Sequence, residues 1–268
     1  MRVTLLGTIG WMPSDRRETT CFACRTGDSL FIFDAGTGLR RLREPAQAAL
    51  LDGARDIHLF LTHYHLDHVC GLAYLPGVLP NRRVTIHAPA AGITGIDPEA
   101  AVAGLLRRPY NPHDWEELSD LRVQALAPGA NEIAGHVVSV RPQKHSDVSV
   151  AFRLDDAFVL ATDTRADPGT AEFSAGAGLL LHEAWYDAAA PQTSAMPAGL
   201  PPGFAAHSEA GSVARLAAAA DVGRLVLIHL NPAYDEAYYA AMAATARAAF
   251  PRTELRTDGE TVDTSRSV

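Results

Sequence analysis

The sequence predicts an α/β protein in which helices pack outside two facing sheets and loops at one edge deliver the chemically active side chains. Three observations lead there. Strand-like segments give way to helix-like ones in two successive blocks. Strand-like, mostly apolar segments at 57–61, 157–161 and 224–228 each end within two residues of a histidine or aspartate. No linker divides the 268 residues, so one domain over residues 1–268 is expected, long enough to bury a full core.

The elements follow in order. Val3–Leu6 is a short strand turned by Gly7 to Gly10, and Thr19–Thr26 and Ser29–Phe33 form a hairpin around Gly27-Asp28, a strong two-residue turn pair. Leu39–Leu51 has helical character, Ile57–Leu61 is a buried strand and Arg83–His87 another. Asp97-Pro98 opens a helix that reaches about Arg107, with proline in the first turn where its missing N–H does no harm. The stretch 107–117 carries prolines and aromatics and reads as a loop, with His113 as a surface histidine. Leu121–Ala127, Glu132–Arg141, Ala157–Ala161 and Gly178–Leu181 are strands. Tyr186 to Ala206 is rich in Pro, Ala and Gly and reads as a loop or lid. Ser208 is placed to cap a helix over Glu209–Ala220. Arg224–Ile228 is the last core strand, Tyr234–Phe250 a surface helix, and Thr253–Val262 a final strand.

The chemistry concentrates after the Ile57–Leu61 strand, in His63, His65, Asp67 and His68, an H-x-H-x-D-H spacing. In extended backbone residues two apart point the same way, so His63 and His65 can converge on one cation. A turn into helix redirects Asp67 and His68 toward a second position, so the spacing suggests two metals. Imidazole with carboxylate suits Zn2+, with Mn2+ or Fe2+ as alternatives.

Composition limits the partners. The formal charge is −8 and the pI 5.7, and Lys/Arg clusters do not exceed pairs such as Arg40-Arg41, Arg82-Arg83 and Arg107-Arg108. Long nucleic acid is therefore a poor partner, and a small-molecule substrate is expected. A homodimer is compatible with this composition. No run of about eighteen apolar residues suits a membrane span, and the N-terminus lacks a basic segment followed by a cleavage site, so the expected location is cytoplasmic. Cys21, Cys24 and Cys70 are too few for a disulfide framework. Cys21 and Cys24 are three apart in a strand and face opposite sides, which makes them packing residues. His58, His87 and His136 lie in or beside strands and read as structural.

The H-x-H-x-D-H element resembles the signature of the metallo-β-lactamase fold superfamily, and the resemblance extends over nearly the whole chain. It implies a four-layer αββα sandwich. Asp34, in Asp34-Ala35-Gly36, matches a D-x-G turn whose aspartate lies beneath the metals. His145, after the alternating VVSVRP, matches the third ligand of the His63/His65 metal. Asp163 emerges from an apolar strand and is the bridging carboxylate, since its two oxygens can each reach a cation. His229, past the last core strand, joins Asp67 and His68 on the second metal.

Three further segments, DAGTGLRRL, His182-Glu183-Ala184 and His207-Ser208-Glu209-Ala210-Gly211, resemble the branch that contains tRNase Z and the cyclic-nucleotide and cyclic-phosphate phosphodiesterases. The resemblance makes Glu183 and His207 a pair that assists the leaving group, with Asp67 orienting the attacking water. It departs in one respect: common short tRNase Z enzymes insert a long arm between the positions of His145 and Asp163, and here that interval is a simple strand pair. The expected activity is thus a binuclear metal-dependent phosphodiesterase acting on small cyclic or linear phosphodiesters. Three other readings are a metal-dependent hydrolase of a carbonyl substrate (lactone, thioester or β-lactam), a di-iron redox protein, and a scaffold without chemistry. The filled ligand positions argue against the last.

Overall fold

The computed structural model describes residues 1–112, 114–118, 120–188 and 206–266. The chain forms two compact units, Met1–Pro128 with Thr257–Val262, and Gly129–Arg256 with the segment from Asp263. Each is built around a mixed seven-stranded sheet flanked by helices.

In the first unit the strands are β1 (Arg2–Gly7), β2 (Cys21–Thr26), β3 (Ser29–Phe33), β4 (Asp56–Phe60), β5 (Val84–Pro89) and β6 (Leu121–Leu126). They lie in this order, with β14 (Thr261–Asp263) outside β1. β1 to β3 pair antiparallel, and β3 to β6 pair parallel. β3 is buried on both faces, which is why it reads SLFIF without alternation. Leu30, Ile32, Leu59, Leu61, Leu72 and Ile86 share one apolar cluster. Phe33 and Phe60 stack at 4.9 Å.

The second unit carries β7 (Gly129–Ile133), β8 (His136–Gln143), β9 (Ser149–Leu154), β10 (Phe158–Ala161), β11 (Leu179–Glu183), β12 (Leu225–Ile228) and β13 (Thr253–Leu255). They too lie in sequence order. β7 to β10 pair antiparallel, β10 to β13 parallel. In such sheets the carboxyl ends of parallel strands are where ligands gather, because the chain there turns away and leaves a crevice. Asp34 follows β3, His63 follows β4, Asp163 follows β10, Glu183 ends β11 and His229 follows β12. Among the described residues no helix is long and apolar enough to cross a membrane.

The structure departs from the expected elements at several points. Glu132–Arg141 is not one strand: Ala134 and Gly135 take φ of 50° and 79° and close a two-residue turn between β7 and β8. An alanine in the left-handed region has no clear signature in sequence. Thr253–Val262 likewise splits at Gly259, φ 87°, into β13 of the second sheet and β14 of the first. The helix Ala210–Ala219 is capped by Glu209, whose carboxylate accepts from the backbone N–H of Gly211 and Ser212, whereas the Ser208 hydroxyl donates to the Thr164 carbonyl. The helix Pro168–Ser174 was not anticipated, although Asp167 caps it as Asp97 caps Pro98–Leu105. Most of 39–51 is 3₁₀ helix, interrupted before Pro45. His113 and residues 189–205 of the expected loop at 186–206 lie outside the described residues.

Cys21 and Cys24 are fully buried. Burial pushes the Cys21 thiol well above its ordinary range and that of Cys24 up to about 12, so neither offers a thiolate.

His58 Nδ1 and His87 Nε2 lie 3.0 Å apart, and His87 stacks on Phe60. Burial, then the neighbouring His58, pulls the His87 pKa down to about 3. In the unfolded chain a histidine takes up its proton near pH 6.5, so between about pH 6.5 and 3 the unfolded state binds more protons. Folding stability from this group is complete above that window and is lost as pH falls through it. Between pH 7 and 5 the loss is about 2 kcal/mol. His87→Phe, which keeps the stack, is expected to flatten the drop in urea midpoint over that interval, and an unchanged drop would refute the assignment.

Candidate metal centre

In the first unit the site begins at the end of β3, where Asp34 turns with φ 58°. A non-glycine residue in the left-handed region is strained, and here the turn swings a fully buried carboxylate under the loop that follows β4. One oxygen accepts from the Thr62 backbone N–H at 2.8 Å, and the Thr62 hydroxyl lies 2.9 Å from the other. That second oxygen also lies 2.8 Å from His68 Nδ1. A carboxylate only accepts, so His68 carries its proton on Nδ1 and turns the lone pair of Nε2 outward, 3.3 Å from Asp67 Oδ2. This is how an imidazole is aimed at a cation. His63 Nδ1 is 3.1 Å from the Thr62 hydroxyl, and its ring lies 4.4 Å from that of His65 and 4.3 Å from that of His68. Asp67 is fixed from the other side by the Trp11 backbone N–H at 2.7 Å.

The second unit arranges its own set around Asp163, again at positive φ, 51°. Asp163 Oδ1 lies 3.3 Å from His145 Nε2, and Oδ2 lies 3.2 Å from His229 Nε2. Each oxygen thus faces a different imidazole. His229 has φ 47°, a second sharp turn at a strand end. His145 reaches the same edge because β8 runs in the direction of β10. The closing residues are tied by Gln143 Nε2 to the Thr162 carbonyl at 3.0 Å and Ser149 Oγ to the Asp163 carbonyl at 2.8 Å.

Beside them lies a hydrogen-bonded pair. Glu183 Oε2 is 2.6 Å from His207 Nδ1, while Oε1 accepts from the Thr164 backbone N–H at 2.7 Å. Glu183 is completely buried. Burial by itself would raise its pKa, but the charge and hydrogen bond of His207 outweigh that and hold the carboxyl below its ordinary range. The pair fixes Nδ1 of His207 as the proton-bearing nitrogen toward Glu183. Trp185 stacks on the His207 ring at 4.2 Å and 12°, setting its plane.

Asp163, His207 and His229 offer ligand atoms within 4.8 Å of one another. In each unit the donors are imidazole nitrogens and carboxylate oxygens, several with their second atom already engaged, and this chemistry suits divalent metal ions. Thr62, Thr164 and Trp185 were not singled out from sequence. Trp185, two residues beyond Glu183, could have been.

The family model described as "Beta-lactamase superfamily domain" matches residues 30–230. The chain belongs to the metallo-β-lactamase superfamily. Within this superfamily it belongs with the ribonuclease Z-like proteins. It is 32% identical to ribonuclease Z of Mycobacterium avium (strain 104), over 91% of this chain and 92% of that protein. Its fold is similar to the crystal structure of the metallo-β-lactamase fold protein YhfI from Bacillus subtilis, with TM-score 0.73, 20% identity, and 98% and 99% of the two chains covered. It is also similar to unliganded yeast PDE1, with TM-score 0.70, 12% identity, and 98% and 99% covered. The two mixed seven-stranded sheets with flanking helices are the metallo-β-lactamase fold.

Proposed function

We propose that this metallo-β-lactamase hydrolase is a binuclear phosphodiesterase that cleaves small cyclic or linear phosphodiesters. The observation that carries the proposal is the Glu183–His207 pair at 2.6 Å, adjoining Asp163 and His229. A thioester expels a thiolate that departs without a proton and would leave the pair idle, and the relative at 32% identity is a ribonuclease Z, which favours a phosphodiester over the lactone and β-lactam readings. Two observations speak for a small substrate. β9 and β10 are joined through Asp155, Asp156 and Ala157 alone, so no arm lies between His145 and Asp163, and the chain carries a formal charge of −8.

In this reading His63, His65 and His145 would hold one divalent ion and Asp67, His68 and His229 the other, with Asp163 shared between them. Two such ions, when bound, make water a competent nucleophile near neutral pH and neutralise charge that builds on the phosphoryl oxygens. Asp34 keeps His68 in the tautomer that can ligate. Asp67 orients the attacking water while the Trp11 N–H steadies the carboxylate. His207, its Nδ1 proton facing Glu183, presents Nε2 and donates a proton there to the departing alkoxide. Trp185 keeps the imidazole from rotating out of line. A linear substrate yields an alcohol and a phosphomonoester and a cyclic one a single phosphomonoester bearing the freed hydroxyl, with no covalent enzyme intermediate.

Elemental analysis of the purified protein is expected to find two zinc-group ions per chain. Metal-replete protein should hydrolyse bis(p-nitrophenyl) phosphate and a panel of cyclic phosphodiesters in preference to a thioester and a lactone. Esterase activity without phosphodiesterase activity would defeat the proposal.

A further inference from the structure

The loop after β1 carries a residue that the reaction above uses only through its backbone. β1 runs in the direction of β3, so its carboxyl end lies at the sheet edge that delivers Asp34 and His63. There the Met12 N–H donates to the Gly10 carbonyl at 2.7 Å and closes a three-residue turn around Trp11, whose φ is 62°. A bulky side chain in that region is strained, and three-residue turns of this hand are rare. The Trp11 N–H is the group that binds Asp67 Oδ2 at 2.7 Å. The residue is nonetheless 55% exposed, against 6% for Trp185. The base of the loop is anchored: the Ser14 hydroxyl accepts from the Arg16 and Arg17 backbone N–H groups, and the buried Arg17 guanidinium donates to Thr8 Oγ1.

A glycine at position 11 would relieve the strain, remove an exposed apolar surface and keep the N–H on Asp67. Folding and the tether therefore do not call for an indole. A rigid loop instead presents it within one residue's reach of a predicted metal ligand.

We propose that Trp11 is a substrate-binding residue that stacks on a planar aromatic group, such as a nucleobase, of the phosphodiester held at the metal centre. The proposal rests on the phosphodiesterase reading and adds a specificity-determining residue to it. A base on an indole needs no hydrogen-bond match, so stacking gives affinity with little discrimination among bases. Because the tether is a backbone group, side-chain replacement separates the indole's role from the support of Asp67.

The test uses metal-replete protein as wild type, Trp11→Ala and Trp11→Phe, with a cyclic adenosine phosphate and a cyclic glycerol phosphate followed by phosphorus NMR. Trp11→Ala is expected to raise KM for the adenosine ester roughly 5- to 100-fold more than KM for the glycerol ester. Trp11→Phe should recover most of that difference. Equal changes for both esters, or none for either, would overturn the proposal. A second arm needs no turnover: adenosine monophosphate should quench indole emission more in wild type than in Trp11→Phe, which keeps the other two tryptophans. If that difference is seen while neither ester is cleaved, the stacking role stands and the phosphodiesterase reading falls. If the esters are cleaved but neither KM nor quenching depends on residue 11, the stacking role falls and the phosphodiesterase reading stands.

Discussion

Asp163→Asn is expected to strip the centre of metal and to lower phosphodiester turnover by more than about 100-fold, beyond the 10- to 100-fold typical of groups one shell further out. The carboxylate turns one oxygen to His145 and the other to His229. An amide keeps one acceptor and replaces the other with an N–H₂ donor, so it carries no charge and cannot share itself between two cations. The backbone is already strained at φ 51°, and asparagine tolerates that region, so the variant should fold. Elemental analysis and turnover on one preparation check the prediction, with near-ultraviolet circular dichroism confirming the packing. Two ions retained per chain would remove Asp163 from the bridging position.

The second large effect is expected at His207. His207→Ala should lower kcat by about 10²- to 10⁴-fold for substrates with an alkoxide leaving group. Esters of p-nitrophenol should lose much less, because that phenolate departs without a proton. Glu183→Gln should show the same dependence on leaving group in weaker form, since glutamine can still accept from Thr164 but no longer balances an imidazolium. Metal content should be unchanged in both variants. A loss equal for good and poor leaving groups would mean that His207 holds metal or structure and does not donate the proton.

The parts of this site that could be read in the sequence are those whose geometry is local. His63, His65, Asp67 and His68 sit within six residues, so a strand end followed by a helical turn brings them together, while Asp34 and the Trp11 N–H complete the orientation of His68 and Asp67. Asp163 and His229 were legible because an apolar strand fixes where its carboxyl end must be. What could not be read depends on contacts between distant segments. Trp185 acts by stacking on a ring 22 positions away in the chain, and the Trp11 N–H meets Asp67 across 56 positions. Ser208 is the favoured helix cap in isolation, and a glutamate such as Glu209 is not among the usual ones. Only the nearby Thr164 carbonyl, which takes the serine hydroxyl, decides between them. The Ala134-Gly135 turn and the break at Gly259 were missed for a related reason: a single positive φ redirects a strand, and alanine does not advertise it.

The route of the final residues bears on how the protein is made. β13 adds to the second sheet, but the chain then passes Asp258 and Gly259 and lays β14 along β1 of the first. Glu260 and Gly259 exchange backbone hydrogen bonds with Leu5, and Asp258 accepts from Thr8 and from the Glu18 N–H. On the ribosome, the outer edge of β1 must therefore wait, unpaired, until the whole second sheet has been synthesised. An open strand edge invites pairing with other chains, so a nascent chain is at its most aggregation-prone before residues 257–263 emerge from the exit tunnel.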